Sequence, residues 1–111
     1  MINLFAITFA FFNTFFPLPP NYSSYTPVEL RDGQSTVQVN GIKQIGNTYT
    51  NAKMTCYFYG IYGNGVKLLS QQEHVYSCSV NVKLDLPTYL LVRMNNEENV
   101  QIQYNIQVNH Q

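Results

Sequence analysis

The chain has 111 residues, a length typical of one domain. Six basic and six acidic residues give a formal net charge of zero, and charged residues make up only 11% of the chain. The basic residues are spread along the sequence, whereas phosphate binding needs clustered Lys and Arg, so we expect no nucleic-acid partner. A net charge near zero also provides little repulsion between copies, which favours self-association.

The first twenty residues differ in composition from the rest of the chain. No charged side chain appears before Glu29, and six of the seven Phe residues lie in this segment. Three interpretations fit residues 1–20: a secretory signal peptide, a membrane anchor, or an arm that docks on a neighbouring subunit. The segment lacks two usual features of a signal peptide, namely a basic residue before the apolar run and a small-x-small cleavage site. The docking arm would use Phe5, Phe9, Phe11, Phe12, Phe15 and Phe16.

Residues 21–27 are polar and predict a linker, followed by a folded domain over residues 28–111. Asn21 begins an Asn-x-Ser triplet, so it is a candidate N-glycosylation site.

Downstream of the linker the sequence predicts strands and no helix, because apolar residues recur with a period of two. Turn signals such as Asp32-Gly33, Asn40-Gly41 and Asn64-Gly65 separate the alternating stretches. The predicted strands cover residues 26–30, 35–42, 48–59, 66–70, 74–86, 89–94 and 100–108. Short strands at this spacing predict an all-β fold, a single antiparallel β-sandwich of about seven strands.

One face of each predicted strand is expected to point into the core. The expected core residues are Val37 and Val39, then Ala52, Met54, Cys56 and Phe58, then Tyr76, Cys78, Val80, Val82, Leu84 and Leu86, then Leu90, Val92 and Met94.

The most regular alternation lies in the last predicted strand, residues 100–108. Its two faces carry Val100, Ile102, Tyr104, Ile106 and Val108 on one side and Gln101, Gln103, Asn105 and Gln107 on the other. The strand contains no charged residue and no Pro, which are the residues that usually prevent an edge strand from pairing with another chain. We therefore predict that residues 100–108 form an assembly edge.

Cys56 and Cys78 are the only cysteines, and both occupy inward positions of long predicted strands. An even cysteine count behind a candidate signal segment favours a disulfide over two buried free thiols. A disulfide would in turn place the protein outside the cytosol, on a cell surface, in a virion or free in the extracellular space.

The residues that catalysis usually requires are sparse. Glu97-Glu98 is expected to be the solvated tip of a turn, Glu73-His74 opens a strand, and His110 is penultimate. Two distant histidines and no CxxC motif do not complete a metal site. We therefore expect neither an enzyme nor a bound cofactor or metal.

Three functions remain as hypotheses. The first is a structural or assembly subunit on a cell or virion surface, which self-associates through strand edges and its N-terminal arm. The second is a secreted binding module for a glycan or a protein, with Tyr57, Tyr59 and Tyr62 as the ligand surface. The third is a small membrane-anchored accessory subunit, with residues 1–20 contacting the membrane.

Overall fold

The structure is a computed structural model that describes residues 14–30, 35–82, 87 and 89–110. The described residues contain nine strands: β1 (Phe16–Leu18), β2 (Ser23–Glu29), β3 (Ser35–Ile45), β4 (Thr48–Asn51), β5 (Met54–Tyr62), β6 (Gly65–Val75), β7 (Ser77–Val82), β8 (Tyr89–Asn96) and β9 (Ile102–His110).

The strands form two antiparallel sheets packed against each other. The five-stranded sheet has the order β1-β9-β3-β4, and β7 pairs with β3 on the same side as β4. The four-stranded sheet has the order β2-β8-β5-β6. The result is a flat body of 46 × 41 × 16 Å. The predicted all-β sandwich is confirmed.

The core lies between the sheets, and alternating residues of both sheets supply it. Most of the predicted inward positions are buried, including all of those on β3, β5 and β8. Gly41 on β3 leaves room for Met54 of the opposite sheet, since a Cβ atom at Gly41 would be 3.0 Å from Sδ of Met54. The largest fully buried side chains are Phe58, Met54, Leu90, Met94, Ile102, Val37, Val39, Val92, Cys56 and Ser35.

The predicted disulfide is confirmed, and it joins the two sheets. Cys56 lies on β5 in the four-stranded sheet and Cys78 lies on β7 in the five-stranded sheet. Both residues are buried. In the chain-entropy picture, closing a loop of this size stabilises the fold by about 3 kcal/mol.

Two of the predicted long strands are wrong, because each is interrupted where the chain crosses from one sheet to the other. The stretch 48–59 is split into β4 and β5 at Ala52 and Lys53. The stretch 74–86 is interrupted at Tyr76, between β6 and β7, two residues after His74 with its positive φ of 56°. Tyr76 is the residue at this crossing and is half exposed, so its predicted inward orientation is also wrong. Leu84 and Leu86 lie outside the described residues.

The predicted linker is also different in the structure, because Ser23–Glu29 forms β2 and pairs with β8 along its whole length. Only Val28 in this strand is buried. An edge strand with a single core residue has no apolar alternation that the sequence could reveal. Pro27 is compatible with this strand because it lies at a sheet edge.

Candidate interaction face

The predicted assembly edge is only partly available. β9 begins at Ile102, so Val100 and Gln101 precede it. For Ile102, Gln103 and Tyr104 the edge prediction is wrong, because β1 pairs with these residues on the side opposite to β3. For Asn105–Val108 no other described strand lies on that side, so the prediction of an assembly edge there stays untested.

The described end of the predicted docking arm contacts its own chain. The Phe16 ring lies 5.7 Å from the Tyr104 ring. Leu18 is buried, and its carbonyl accepts a hydrogen bond from the Asn96 side chain at 3.0 Å. Phe15 is half-buried. The remaining arm residues, Phe5, Phe9, Phe11 and Phe12, lie outside the described residues.

The outer face of the four-stranded sheet carries a continuous group of aromatic and aliphatic side chains, which we call the tyrosine face. Strand register places its residues in three rows that run across β2, β8, β5 and β6. The first row is Tyr25, Arg93, Tyr57 and Gln71; the middle row is Pro27, Leu91, Tyr59 and Leu68; the third row is Glu29, Tyr89, Ile61 and Val66.

This face is exposed although most of its side chains are apolar. Tyr25, Leu68 and Val66 are 58%, 47% and 65% exposed. Large contiguous apolar patches are uncommon on soluble monomers and usually mark an interaction site. The register also explains how the patch forms: a bulge in β6 at Leu69, between Leu68 and Ser70, lets Leu69 pack on the core while Leu68 pairs with Tyr59 on the outside.

Arg93 and three tyrosines form one aromatic group within this face. The Arg93 guanidinium lies 4.7 Å from the centre of the Tyr57 ring and 5.7 Å from that of Tyr25. The Tyr57 and Tyr59 rings are nearly parallel, with centres 6.3 Å apart. The cation–π contacts hold Arg93 against the sheet and cover one side of the Tyr57 ring.

The charge of Arg93 has no carboxylate partner within the described part of the chain. Among the described residues, the only ion pairs are those of Lys43 with Glu98 and His74 with Glu97. Arg93 Nε is buried without a hydrogen-bond partner in the same part of the chain. Glu29, at the other end of the face, is exposed and equally lacks an ion pair there.

The predicted ligand surface of Tyr57, Tyr59 and Tyr62 is only partly assembled. Tyr57 and Tyr59 lie side by side, but Tyr62 lies at the end of β5 and folds back toward Gly60, where an added Cβ would be 3.2 Å from its ring. Tyr62 instead lines a shallow cavity of about 360 Å³ at the β5–β6 turn, together with Asn64, Gly65, Val66 and Lys67.

The outer face of the five-stranded sheet has a different composition, and we call it the amide face. Asn40 is central to it: its Oδ1 accepts a hydrogen bond from Ser77 at 3.1 Å, and its Nδ2 donates to Asn105 at 3.4 Å. Asn105 is buried. Where β3 pairs with β7 and β9, this face carries no charged residue and consists of Thr36, Gln38, Asn40, Ile42, Ser77, Ser79, Asn81, Gln103, Asn105, Gln107 and Asn109.

One edge of the amide face is closed by a side chain. The Gln72 amide donates to the Ser79 carbonyl at 2.7 Å and accepts from the Ser79 backbone N–H at 3.2 Å. This two-way contact occupies backbone groups of β7 that another strand would otherwise use.

Glu97 and Glu98 do not form a solvated tip, so that expectation is wrong. Glu98 accepts hydrogen bonds from Lys43 Nζ at 2.8 Å and from the Lys53 backbone N–H at 2.7 Å. Glu97 accepts one from Thr55 Oγ1 at 2.8 Å. The hydrogen bond from Lys43, and then that from Lys53, hold the pKa of Glu98 below its ordinary value. Glu98 therefore joins the end of β8 to β3 of the other sheet, whereas the contact of Glu97 with Thr55 stays within the four-stranded sheet.

Three further predictions from the sequence concern metal binding, membrane contact and glycosylation. The described residues contain no group of three or more His, Cys, Asp or Glu side chains arranged to hold a metal ion. Within the same part of the chain, no helix is long and apolar enough to cross a membrane. Asn21 is exposed at a turn with a φ of 65°, and its glycosylation stays a prediction.

Sequence reasoning missed Tyr25 and Arg93 as part of an interaction face. The sequence places Tyr25 in a predicted linker, and the contact between Arg93 and the two tyrosines Tyr25 and Tyr57 depends on the register between strands far apart in sequence. One signal was available: β5 carries aromatic residues on both of its faces, which is typical of a strand whose outer face is also covered.

Comparison with known proteins identifies no family. No protein-family model and no curated protein sequence matches the chain. One similar solved structure is the solution NMR structure of a de novo designed double-stranded beta-helix, with 16% sequence identity and a TM-score of 0.45. The match covers 86% of this chain and 96% of the designed chain.

Proposed function

We propose that this protein is a non-catalytic assembly subunit that associates through its tyrosine face, in an oxidising compartment outside the cytosol. The observation that carries the proposal is the exposed, nearly uncharged group of Tyr, Leu, Ile and Val side chains on the four-stranded sheet.

The composition of the face supports a protein partner. Tyr and Arg are enriched at the centres of protein interfaces, where Lys, Asp and Glu are depleted. Arg93 is held between tyrosine rings and is therefore partly ordered before any partner binds, which reduces the entropy lost on association.

The disulfide supports the compartment. A bond between Cys56 and Cys78 is compatible with an oxidising extracellular environment, because thiols are kept reduced in the cytosol. Exposure on a cell or virion surface is the finer form of this proposal.

Site-specific photo-crosslinking tests the interaction face. A benzoyl-phenylalanine at Leu68, on the tyrosine face, should crosslink the chain to a subunit of its assembly when the protein is isolated from the cells that make it. The same group at Gln107, on the amide face, is the matched control and should give no adduct. Equal adducts at both positions, or none at Leu68, would refute the proposal.

A carbohydrate ligand is the second candidate, because the parallel rings of Tyr57 and Tyr59 could stack on sugar faces. Arg93 already covers one side of the Tyr57 ring, which reduces the stacking surface. Tyr59→Ala should lower binding on a glycan array if this function is correct, whereas Tyr62→Ala should not. A wild-type chain that binds no glycan on the array excludes it.

A further inference from the structure

The tyrosine face has one positive and one negative residue, and they lie at opposite ends. Arg93 is in the first row on β8, and Glu29 is in the third row on the neighbouring strand β2. Neither has an ion-pair partner among the described residues. The middle row between them, formed by Pro27, Leu91, Tyr59 and Leu68, has no charge.

We propose that the partner of this face is a second copy of the same chain, related by a two-fold axis along the middle row, with Arg93 of each copy paired to Glu29 of the other. This inference rests on the proposed function, because it takes the tyrosine face to be the interface.

The symmetry follows from the placement of the charges. A two-fold axis that runs across the strands, in the plane between two facing sheets, puts the first row of one copy over the third row of the other. Arg93 then lies opposite Tyr89 of the second copy, and Glu29 is the next residue in that row, about 4.8 Å away. Both charge pairs form at once, since an isologous interface repeats every contact.

The same operation matches the apolar residues. Residues of the middle row meet their own counterparts, so that Leu91 and Tyr59 pack against Leu91 and Tyr59 of the second copy. Tyr57 lies over Ile61 of the second copy. The two sheets then run in opposite strand directions, as in an aligned sheet-on-sheet packing.

The size of the face predicts a weak dimer. Taken over the nine-residue length of β5, the whole outer surface of the four-stranded sheet, of which the three rows cover about half, measures roughly 600 Å² per copy, about 1,200 Å² in total, from standard strand spacings. This area is at the low end for specific interfaces, so we expect a dissociation constant in the micromolar range or weaker. If a different protein or a ligand bound this face instead of a second copy, we would expect it to contact Arg93 but not to need Glu29.

Charge exchange tests the inference. Purified full-length protein is analysed by sedimentation velocity from about 10 µM to about 1 mM, as wild type, Arg93→Glu, Glu29→Arg and the double variant. Each single variant places like charges together and should weaken the dimer at least about tenfold. The double variant should restore most of the wild-type association. Gln107→Glu, which adds a charge on the amide face, should have no effect.

The possible results separate the inference from the proposed function. A monomer at all concentrations, or a dimer that Glu29→Arg leaves unchanged, overturns the two-fold pairing. In either case, a crosslink from Leu68 to a different protein would still support the proposed assembly function. If Leu68 gives no crosslink at all, both the two-fold pairing and the proposed function are refuted. Glu29 is exposed on an edge strand, so this result does not depend on Arg93→Glu folding.

Discussion

The two outer faces of this sandwich differ in how far their side chains find partners within the chain. On the amide face, Asn40 hydrogen-bonds to Ser77 and Asn105 within the same sheet, so its polar groups already have partners. On the tyrosine face, Leu68 and Val66 are exposed and the charge of Arg93 has no carboxylate partner among the described residues. A face whose polar groups are already hydrogen-bonded within the chain gains little binding free energy from a partner. The tyrosine face, in contrast, would bury apolar area and form a charge pair.

The disulfide joins the two sheets that carry these faces, so breaking it should have the largest effect on the stability of the fold. A Cys56→Ser/Cys78→Ser variant is expected to lose about 3 kcal/mol of unfolding free energy, from the chain-entropy estimate for this loop. Urea denaturation of wild type with and without reductant, alongside the variant, measures the loss. A change below about 0.5 kcal/mol would mean that the two sheets hold together without the bridge.

A charge on one face but not the other should separate their roles. Leu68→Asp is expected to weaken self-association more than about tenfold, because it places a carboxylate in the uncharged middle row, at its β6 end. Gln107→Asp makes a comparable change on the amide face and should leave association unchanged. Sedimentation velocity compares the two. Equal losses would show that the faces do not differ in function.

The amide face should instead respond in stability. Asn40→Ala removes the partner of Asn105, which is 2% exposed, and leaves a buried amide unsatisfied. We expect a loss of about 1 to 2 kcal/mol in unfolding free energy with no change in association. Asn109→Ala, at the exposed end of the same face, is the control and should cost much less. A large effect on association would contradict the division of roles.

The smallest expected effect concerns Glu98, whose contact with Lys43 joins the two sheets. The hydrogen bonds from Lys43 and Lys53 lower the pKa of Glu98 in the folded state, so this group stabilises the fold above its unfolded pKa. That contribution is lost as the pH falls below about 4.5 and through the folded pKa. Glu98→Gln should therefore flatten the acid side of a thermal-melting profile. Unchanged acid sensitivity would show that Glu98 contributes nothing.

The sequence was sufficient for the parts of the fold that local alternation determines. Phe58, Val92 and Val37 are buried as their period-two patterns predict, and the two cysteines on such patterns form the disulfide. Alternation reports which residues face inward, because side chains of a strand point to opposite faces whatever the neighbouring strand is.

The sequence was insufficient where the answer depends on pairing between distant strands. Residues 48–59 keep one alternating pattern while the chain leaves the five-stranded sheet at Ala52 and joins the other. Tyr25 meets Arg93 because β2 pairs with β8, which no local pattern indicates. The sequence predicts a solvated Glu98, because its partners Lys43 and Lys53 are more than forty residues away in sequence. The tyrosine face is therefore a product of sheet order rather than of any single motif.

The difference between the faces can be measured residue by residue in one experiment. Amide chemical shifts of the ¹⁵N-labelled protein are followed as its concentration is raised from about 10 µM to about 1 mM. We predict concentration-dependent shifts in β2, β8, β5 and β6, centred on Leu91 and Tyr59, with β3, β7 and β9 unchanged. Shifts centred on Asn40 and Gln107, or no shifts at any concentration, would contradict the claim that the tyrosine face is where this chain associates.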